Sequence, residues 1–123
     1  MLNVLIIESK HSSAEIMADC INYLDLNPFI YDYKLSFSKN LKQFDPHLII
    51  FNQNMFEKSR LYFNEIRDYI HPITLILTSD GIIEPHTIKS LGADFFLSKP
   101  YEVETFYTLL RQANDCRLDR INV

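Results

Sequence analysis

The chain has 123 residues, 47% of them apolar and 13% aromatic, which suits one compact domain with its own core and disfavours a second. Twelve basic against sixteen acidic residues give a net charge of −4 without a basic cluster, which disfavours nucleic acid and anionic membrane as partners. The apolar runs are short and MLNVLIIESK lacks the parts of a signal peptide, so a cytoplasmic location is expected.

Leu2–Ile7 reads as a buried strand closing on Glu8-Ser9. Ser12 or Ser13 is expected to cap the following helix, with Glu15 completing a capping box and Met17, Cys20, Ile21 and Leu24 forming its apolar stripe. Asn27-Pro28 breaks the chain, Phe29–Tyr33 suits a strand, and Ser38–Phe44 a short helix. Next comes Pro46–Met55, PHLIIFNQNM, in which Leu48, Ile49, Ile50 and Phe51 run without polar alternation and the chain then turns polar at Asn52. Such a run is apolar on both faces, as at the centre of a parallel sheet covered by helices on each side. Phe56–Ile70 carries Leu61, Phe63, Ile66 and Ile70 at near-helical spacing, and Pro72 separates it from a strand, Ile73–Leu77, that ends in Thr78-Ser79. Asp80-Gly81 reads as a turn, Pro85–Leu91 as a short helix stopped at Gly92, and Asp94–Leu97 as a fifth strand. Glu102–Arg117 is the last helix, with Val103, Phe106, Leu110 and Ala113 inward, and residues 118–123 read as a tail or the start of a linker.

Strands alternating with helices in this length imply a single α/β domain: a doubly wound five-stranded parallel sheet, flavodoxin-like, in the order 2-1-3-4-5. Ligands of such sheets bind beyond the carboxyl ends of the strands, where this order gathers Glu8, Ser9 and Asn52, joined by Thr78 and Lys99.

VLIIES at the first strand, DPHLIIFNQNM at the third, PITLILTS at the fourth and LGADFFLSKP before the last helix give the chain its resemblance to a known family. It resembles, over essentially its whole length, the receiver domain of bacterial two-component response regulators. The resemblance implies an acidic pair after the first strand and an aspartate after the third that hold a divalent cation, the aspartate also accepting a phosphoryl group. It further implies a threonine and a lysine that contact the phosphoryl oxygens, a switch aromatic, and a lysine-proline bond that is typically cis. Carried over by position, Glu8 keeps the first acid, Thr78 the hydroxyl, Phe96 the aromatic and Lys99 the lysine. Ser9 stands in place of the second acid and Asn52 in place of the phosphoacceptor. Ser79 and Phe56 depart from the small residue and the proline that the family places after the threonine and after the methionine.

Chemistry points the same way. A carboxamide has delocalised lone pairs and no charge, so Asn52 is a poor nucleophile, and a hard divalent cation needs more carboxylate than Glu8 alone supplies. Three acids and a lysine would sum to −2, whereas Glu8 and Lys99 with neutral Ser9 and Asn52 sum to zero. Lys99 is then expected to pair with Glu8, and Thr78 and Phe96 to be held in one arrangement by packing and hydrogen bonds. Ser9, Thr78 and Ser79 as substitute acceptors lack an evident general base. Two glycines allow no Walker or dinucleotide fingerprint, so no cofactor and no metal are expected, and an enzyme is the least expected class.

Cys20 and Cys116 show no metal or framework spacing and are expected as free thiols, Cys20 the more protected. His11 is expected as a surface loop residue, and His47, His71 and His86 as solvated histidines at element edges. Phe95 is expected outward on the fifth strand, with Tyr107, Ile82 and Ile83, on the helix 4–strand 5–helix 5 face through which the resemblance implies dimers or a protein partner. The reading is thus an atypical receiver acting as a phosphorylation-independent interaction or dimerisation module, with a fused or separate effector. The alternatives are a phosphorelay receiver using a non-aspartate acceptor, and the regulatory domain of a transcription regulator.

Overall fold

The computed structural model describes residues 2–53, 56–81, 84–90 and 92–121, with side chains throughout except at 56–60, 87 and 117–121. Five strands, β1 (Asn3–Ile7), β2 (Asn27–Ile30), β3 (Leu48–Asn52), β4 (Thr74–Ser79) and β5 (Phe95–Ser98), form one parallel sheet in the order β2-β1-β3-β4-β5. The expected order is the observed one. Between and after them run α1 (His11–Tyr23), α2 (Phe37–Phe44), α3 (Phe56–Arg67), α4 (Pro85–Ser90) and α5 (Val103–Ile121).

Two cores cover the sheet, and strand alternation sorts residues between them. Val4, Ile6, Leu48, Ile50, Ile76 and Leu97 pack beneath α1 and α5, against Met17, Ile21, Phe106 and Leu110. Leu5, Ile7, Ile49, Phe51, Leu75 and Leu77 face the other way, onto Phe37 and Leu41 of α2 and Phe63 and Ile66 of α3. All five residues of β3 are buried, which is why its sequence shows no alternation.

Several boundaries differ from expectation for physical reasons. The helix α1 begins at His11 behind Lys10, which supplies no side-chain cap; Ser12 and Ser13 lie inside it, and Glu15 pairs with His11 at 2.8 Å instead of closing a capping box. His11 is therefore a helix residue, exposed as foreseen. Asn27-Pro28 opens β2 instead of preceding it: β2 is an edge strand bonded only to β1, with Pro28 opposite Val4, where a missing N–H is tolerated. The strand ends at Ile30, while Tyr31 still donates its N–H to the Ile6 carbonyl at 2.9 Å. The helix α2 begins at Phe37, not Ser38, and Ser36 caps it, its hydroxyl accepting from Lys39 N–H at 3.2 Å.

The helix α3 ends at Arg67, short of the expected Ile70, which lies beyond it and is 90% exposed; on the helix Phe63 and Ile66 face the core while Leu61 is 71% exposed, so the expected four-residue stripe is two residues wide. On α5, Phe106, Leu110 and Ala113 are buried and Val103 is half exposed, and the helix runs to Ile121, through most of the expected tail. Gly92, expected to stop α4, has φ 74°, the left-handed geometry of a helix terminus. Leu91, where that helix was expected to end, lies outside the described residues.

Two buried or stacked polar devices carried no local signal in the sequence. Asn40, fully buried on α2, donates to the Asp32 and Ser36 carbonyls at 2.9 Å each and accepts from Asp32 N–H at 2.8 Å, fixing the loop after β2. At the amino end of the sheet, His47 Nδ1 accepts from Asn3 N–H at 3.0 Å and its ring stacks on His71 with centroids 5.1 Å apart. His71 in turn bonds the Asp45 carboxylate at 2.9 Å. These two histidines are ordered structural groups, not the solvated edge residues expected; His86 is exposed.

Candidate functional site: the carboxyl end of the sheet

Register decides which side chains meet. Ile7 lies opposite Phe51, Asn52 opposite Thr78, and Ser79 opposite Ser98, so Glu8, Asn52, Thr78 and Lys99 emerge along one edge. The Lys99–Pro100 peptide is cis, and Lys99 N–H donates to the Ser79 carbonyl at 2.8 Å, holding the lysine beside the end of β4.

Glu8 is the hub. Its Oε1 accepts from the Asn52 side-chain amide, from Ser9 N–H at 3.2 Å, and from the Lys99 ammonium at 3.0 Å. The carboxylate is 1% exposed and the lysine 19%, so this is a buried ion pair whose desolvation is offset by several bonds converging on one oxygen. Tyr33 donates its hydroxyl to the Glu8 carbonyl at 2.9 Å, and burial, aided by the Glu8 charge, pushes that phenol up. Tyr101 is pushed up to about 12, chiefly by burial and then by Glu8. A second carboxylate, Asp80, lies 3.4 Å from Lys99 and is about half exposed; the turn motif around it hid this role.

The remaining oxygens behave differently. Glu8 Oε2 and Thr78 Oγ1 are buried without a hydrogen-bond partner among the described residues. The expectation that hydrogen bonds hold the Thr78 hydroxyl is thus corrected: among the described residues it has no partner, and packing surrounds it on a strand fixed by its backbone ladder. Ser79 is buried, and its hydroxyl accepts from Gly81 N–H at 3.0 Å, closing the turn, while Ser9 is exposed.

This donor set does not suit a divalent cation. Glu8 Oε1 already faces an amide N–H, a peptide N–H and an ammonium, all donors that a cation would have to displace, and Ser9 adds no charge. Among the described residues no group of three or more His, Cys, Asp or Glu side chains has a metal-holding arrangement.

The aromatic residues divide across β5. Phe96 is half-buried against the α2/α3 core, and Phe95, on the opposite face with Leu97, is half-buried against the α1/α5 core. Phe95 therefore does not project freely outward. Tyr107 points toward α1: its ring lies 5.6 Å from that of Tyr23 and its hydroxyl approaches Cys20, so it belongs to the α1–α5 seam, not to a helix 4–strand 5–helix 5 face. Helical spacing could not show which flank of α5 it occupies. Ile82 and Ile83, the other expected members of that face, lie outside the described residues. Cys20 is buried and Cys116 half-buried, both as free thiols.

No family model matches the chain, and no curated protein matches it. Solved structures do. The N-terminal domain of the nisin resistance regulator NsrR, a lantibiotic response regulator, superposes with a TM-score of 0.77 at 17% identity over 92% of this chain and 97% of that one. The signal receiver domain of a putative LuxO repressor protein from Vibrio parahaemolyticus gives 0.76 at 18% identity over 95% and 93%. NtrX from Brucella abortus, solved in complex with ADP, gives 0.83 at 14% identity over 99% of this chain, which spans only 28% of NtrX. Among the described residues no helix is long and apolar enough to cross a membrane. At these identities the likeness is one of fold, and the fold is that of response regulator receiver domains.

Proposed function

We propose that the chain is an atypical receiver domain that works in signal transduction as a protein-interaction module without being phosphorylated, and that it is not an enzyme. The observation carrying this reading is the Asn52 side-chain amide, buried at the end of β3 and donating to Glu8 Oε1. An aspartate in its place would set two carboxylates against each other and need a cation between them; the carboxamide instead bonds the carboxylate directly. Glu8, Ser9, Asn52, Thr78 and Lys99 on this reading form a degenerate phosphorylation pocket, and Phe96 a switch aromatic without its switch. A receiver responds to phosphorylation because the new anion binds the two conformations unequally, and nothing in this pocket supplies such an anion.

The partner is another protein or a second copy, with a fused or separate effector. Incubation of the chain with acetyl phosphate and magnesium, followed by intact mass, is expected to give no added phosphoryl group. A phosphoryl mass that disappears on Thr78→Ala or Ser79→Ala would instead establish the non-aspartate acceptor.

A further inference from the structure

Six large apolar side chains are exposed among the described residues: Ile16, Tyr23 and Val103 lie on α1 and α5, and the other three lie together elsewhere. Tyr33, Leu61 and Ile70 are 59%, 71% and 90% exposed, and all three line two adjoining cavities between α2 and α3. The first, of about 410 Å³, is walled by Tyr31, Tyr33, Phe37, Leu61 and Tyr62, with Glu65 at its border. Its rings brace one another: Phe37 stacks on Tyr62 at 4.2 Å, and Tyr31 meets Tyr33 edge-on at 4.9 Å. The Glu65 side chain is exposed and lines both cavities, beside this aromatic wall. The second cavity, of about 500 Å³, shares Ser38 and Glu65 with the first and is lined further by Leu41, Lys42, Asp68 and Ile70.

Braced aromatic faces beside a carboxylate attract cations, and apolar walls running on from them attract an apolar side chain. Among the described residues the acids Glu65 and Asp68 outnumber the single lysine lining the two cavities, so the groove favours a positively charged occupant over an acidic one. We propose that the α2–α3 groove docks a basic, amphipathic segment of a partner protein, with an arginine or lysine side chain in the aromatic cavity against Glu65 and an apolar side chain in the cavity beside Ile70. This deepens the interaction-module reading by naming the face and the partner's chemistry. It leaves the phosphorylation pocket outside the contact, since none of Glu8, Asn52, Thr78 and Lys99 lines the groove.

The test uses the whole chain and a fluorescein-labelled synthetic peptide of leucine and arginine at helical spacing, with a twin carrying glutamate for every arginine. Anisotropy titrations are run in chelator without a phosphoryl donor. Saturable binding of the arginine peptide is expected, with a loss of roughly tenfold or more in Leu61→Asp and in Glu65→Lys. The acidic twin should not bind. Glu102→Lys with Glu104→Lys, which removes more negative charge from the exposed start of α5, should leave the affinity within about twofold. Circular dichroism melts confirm that each variant folds. Equal binding of the two peptides, or equal losses in the α5 control and Glu65→Lys, would overturn the proposal. So would a homodimer in sedimentation that Leu61→Asp dissolves, because the occupant would then be a second copy. Phosphoryl labelling of the pocket would defeat the proposed function while leaving a positive peptide result standing, so the two failures are distinguishable.

Discussion

At the carboxyl end of the sheet, the Glu8 carboxylate, 1% exposed, is held by the side chains of Lys99 and Asn52; at the amino end, the Asp45 carboxylate, 53% exposed, is held by Tyr69 at 2.7 Å and His71 at 2.9 Å. The amino-end groups mostly fasten backbone to backbone. The Asn3 side chain reaches the Phe44 and Asp45 carbonyls at 2.9 and 3.2 Å, His47 receives Asn3 N–H, and Tyr69 also donates to the Leu41 carbonyl at 3.1 Å. Carboxyl-end groups mostly hold one another. One end is a clasp joining chain segments, while the other is a self-contained polar pocket with a charge inside. Each end also has a buried hydroxyl without a partner among the described residues, Thr74 at the start of β4 and Thr78 near its end, but only the carboxyl end leaves a carboxylate oxygen so. Because an unpaired charged atom costs more to bury than a neutral one, the pocket should be the more fragile end and the easier to repair by paired substitution.

The largest effect that can break this comparison is at Lys99. Lys99→Met leaves Glu8 buried without its cation and is expected to cost about 3 kcal/mol in urea unfolding. Combined with Glu8→Gln, whose carbonyl still accepts from Asn52 and Ser9, more than half of that loss should return. A single-variant cost below about 1 kcal/mol would mean that the pair is screened like a surface bridge. Asn40→Ala comes next, at about 2 kcal/mol, because it leaves the Asp32 N–H without its acceptor and takes a second donor from the Asp32 and Ser36 carbonyls, which keep Leu35 N–H and Asn40 N–H. The same unfolding series measures it, and an effect under about 0.5 kcal/mol would show that water takes over those bonds.

Smaller still is the matched pair Thr74→Val and Thr78→Val. Each exchanges an unpartnered buried hydroxyl for a methyl of the same shape, so stability should stay within about 0.5 kcal/mol of the parent or rise. A loss above about 1 kcal/mol in Thr78→Val but not in Thr74→Val would reveal a partner for Thr78 inside the pocket. Magnesium sharpens the contrast further. Asn52→Asp alone should gain little affinity, since the new charge turns toward Lys99, whereas Asn52→Asp with Ser9→Asp should bind magnesium measurably by calorimetry. Binding by the unsubstituted chain would contradict the degenerate pocket.

Much of this was legible because the pocket residues follow apolar strands. LIIFN and LILTS announce both a buried strand and the polar residue that it delivers, so Asn52 and Thr78 were placed by counting. Glu8 and Lys99 followed from strand order together with the resemblance. Long-range polar pairing was not legible: Asp45 meets His71 across 26 positions, and Asp80 reaches Lys99 from a motif that reads only as a turn. The beginning of β2 was misplaced because proline breaks an interior strand but not an edge one, and composition does not tell edges from interiors. Ile70 was misassigned because the helix stops at Arg67, before reaching it, and Leu61 because periodicity leaves the width of the covered face open. A 3.6-residue period gives the faces of a helix but not how wide a face its neighbours cover.

The smallest expected effect concerns the clasp and is read through pH. The Tyr69 hydroxyl, and then His71, hold the Asp45 carboxyl below its usual 3.8. A carboxyl depressed in the folded state stabilises it only while ionised, so this contribution is fully present above the unfolded value and disappears as pH falls through the folded one. Asp45 ends α2 with φ 45°, a left-handed conformation that asparagine also accepts, so Asp45→Asn removes the charge without straining the backbone. The variant should be slightly less stable than the parent at neutral pH, and the two urea midpoints should converge below pH 3.8 as Asp45 becomes protonated. Exposure and solvent screening keep the difference small. At the alkaline end the sign reverses, because burial and then Asp45 push the Tyr69 phenol up to about 12. That contribution is complete below pH 10.0 and lost as pH climbs toward about 12, and its larger, burial-derived part should survive in Asp45→Asn. A variant whose stability tracks the parent at every pH would show that the clasp works through its neutral hydrogen bonds, and that the charge at this end of the sheet, unlike the one at Glu8, does no work.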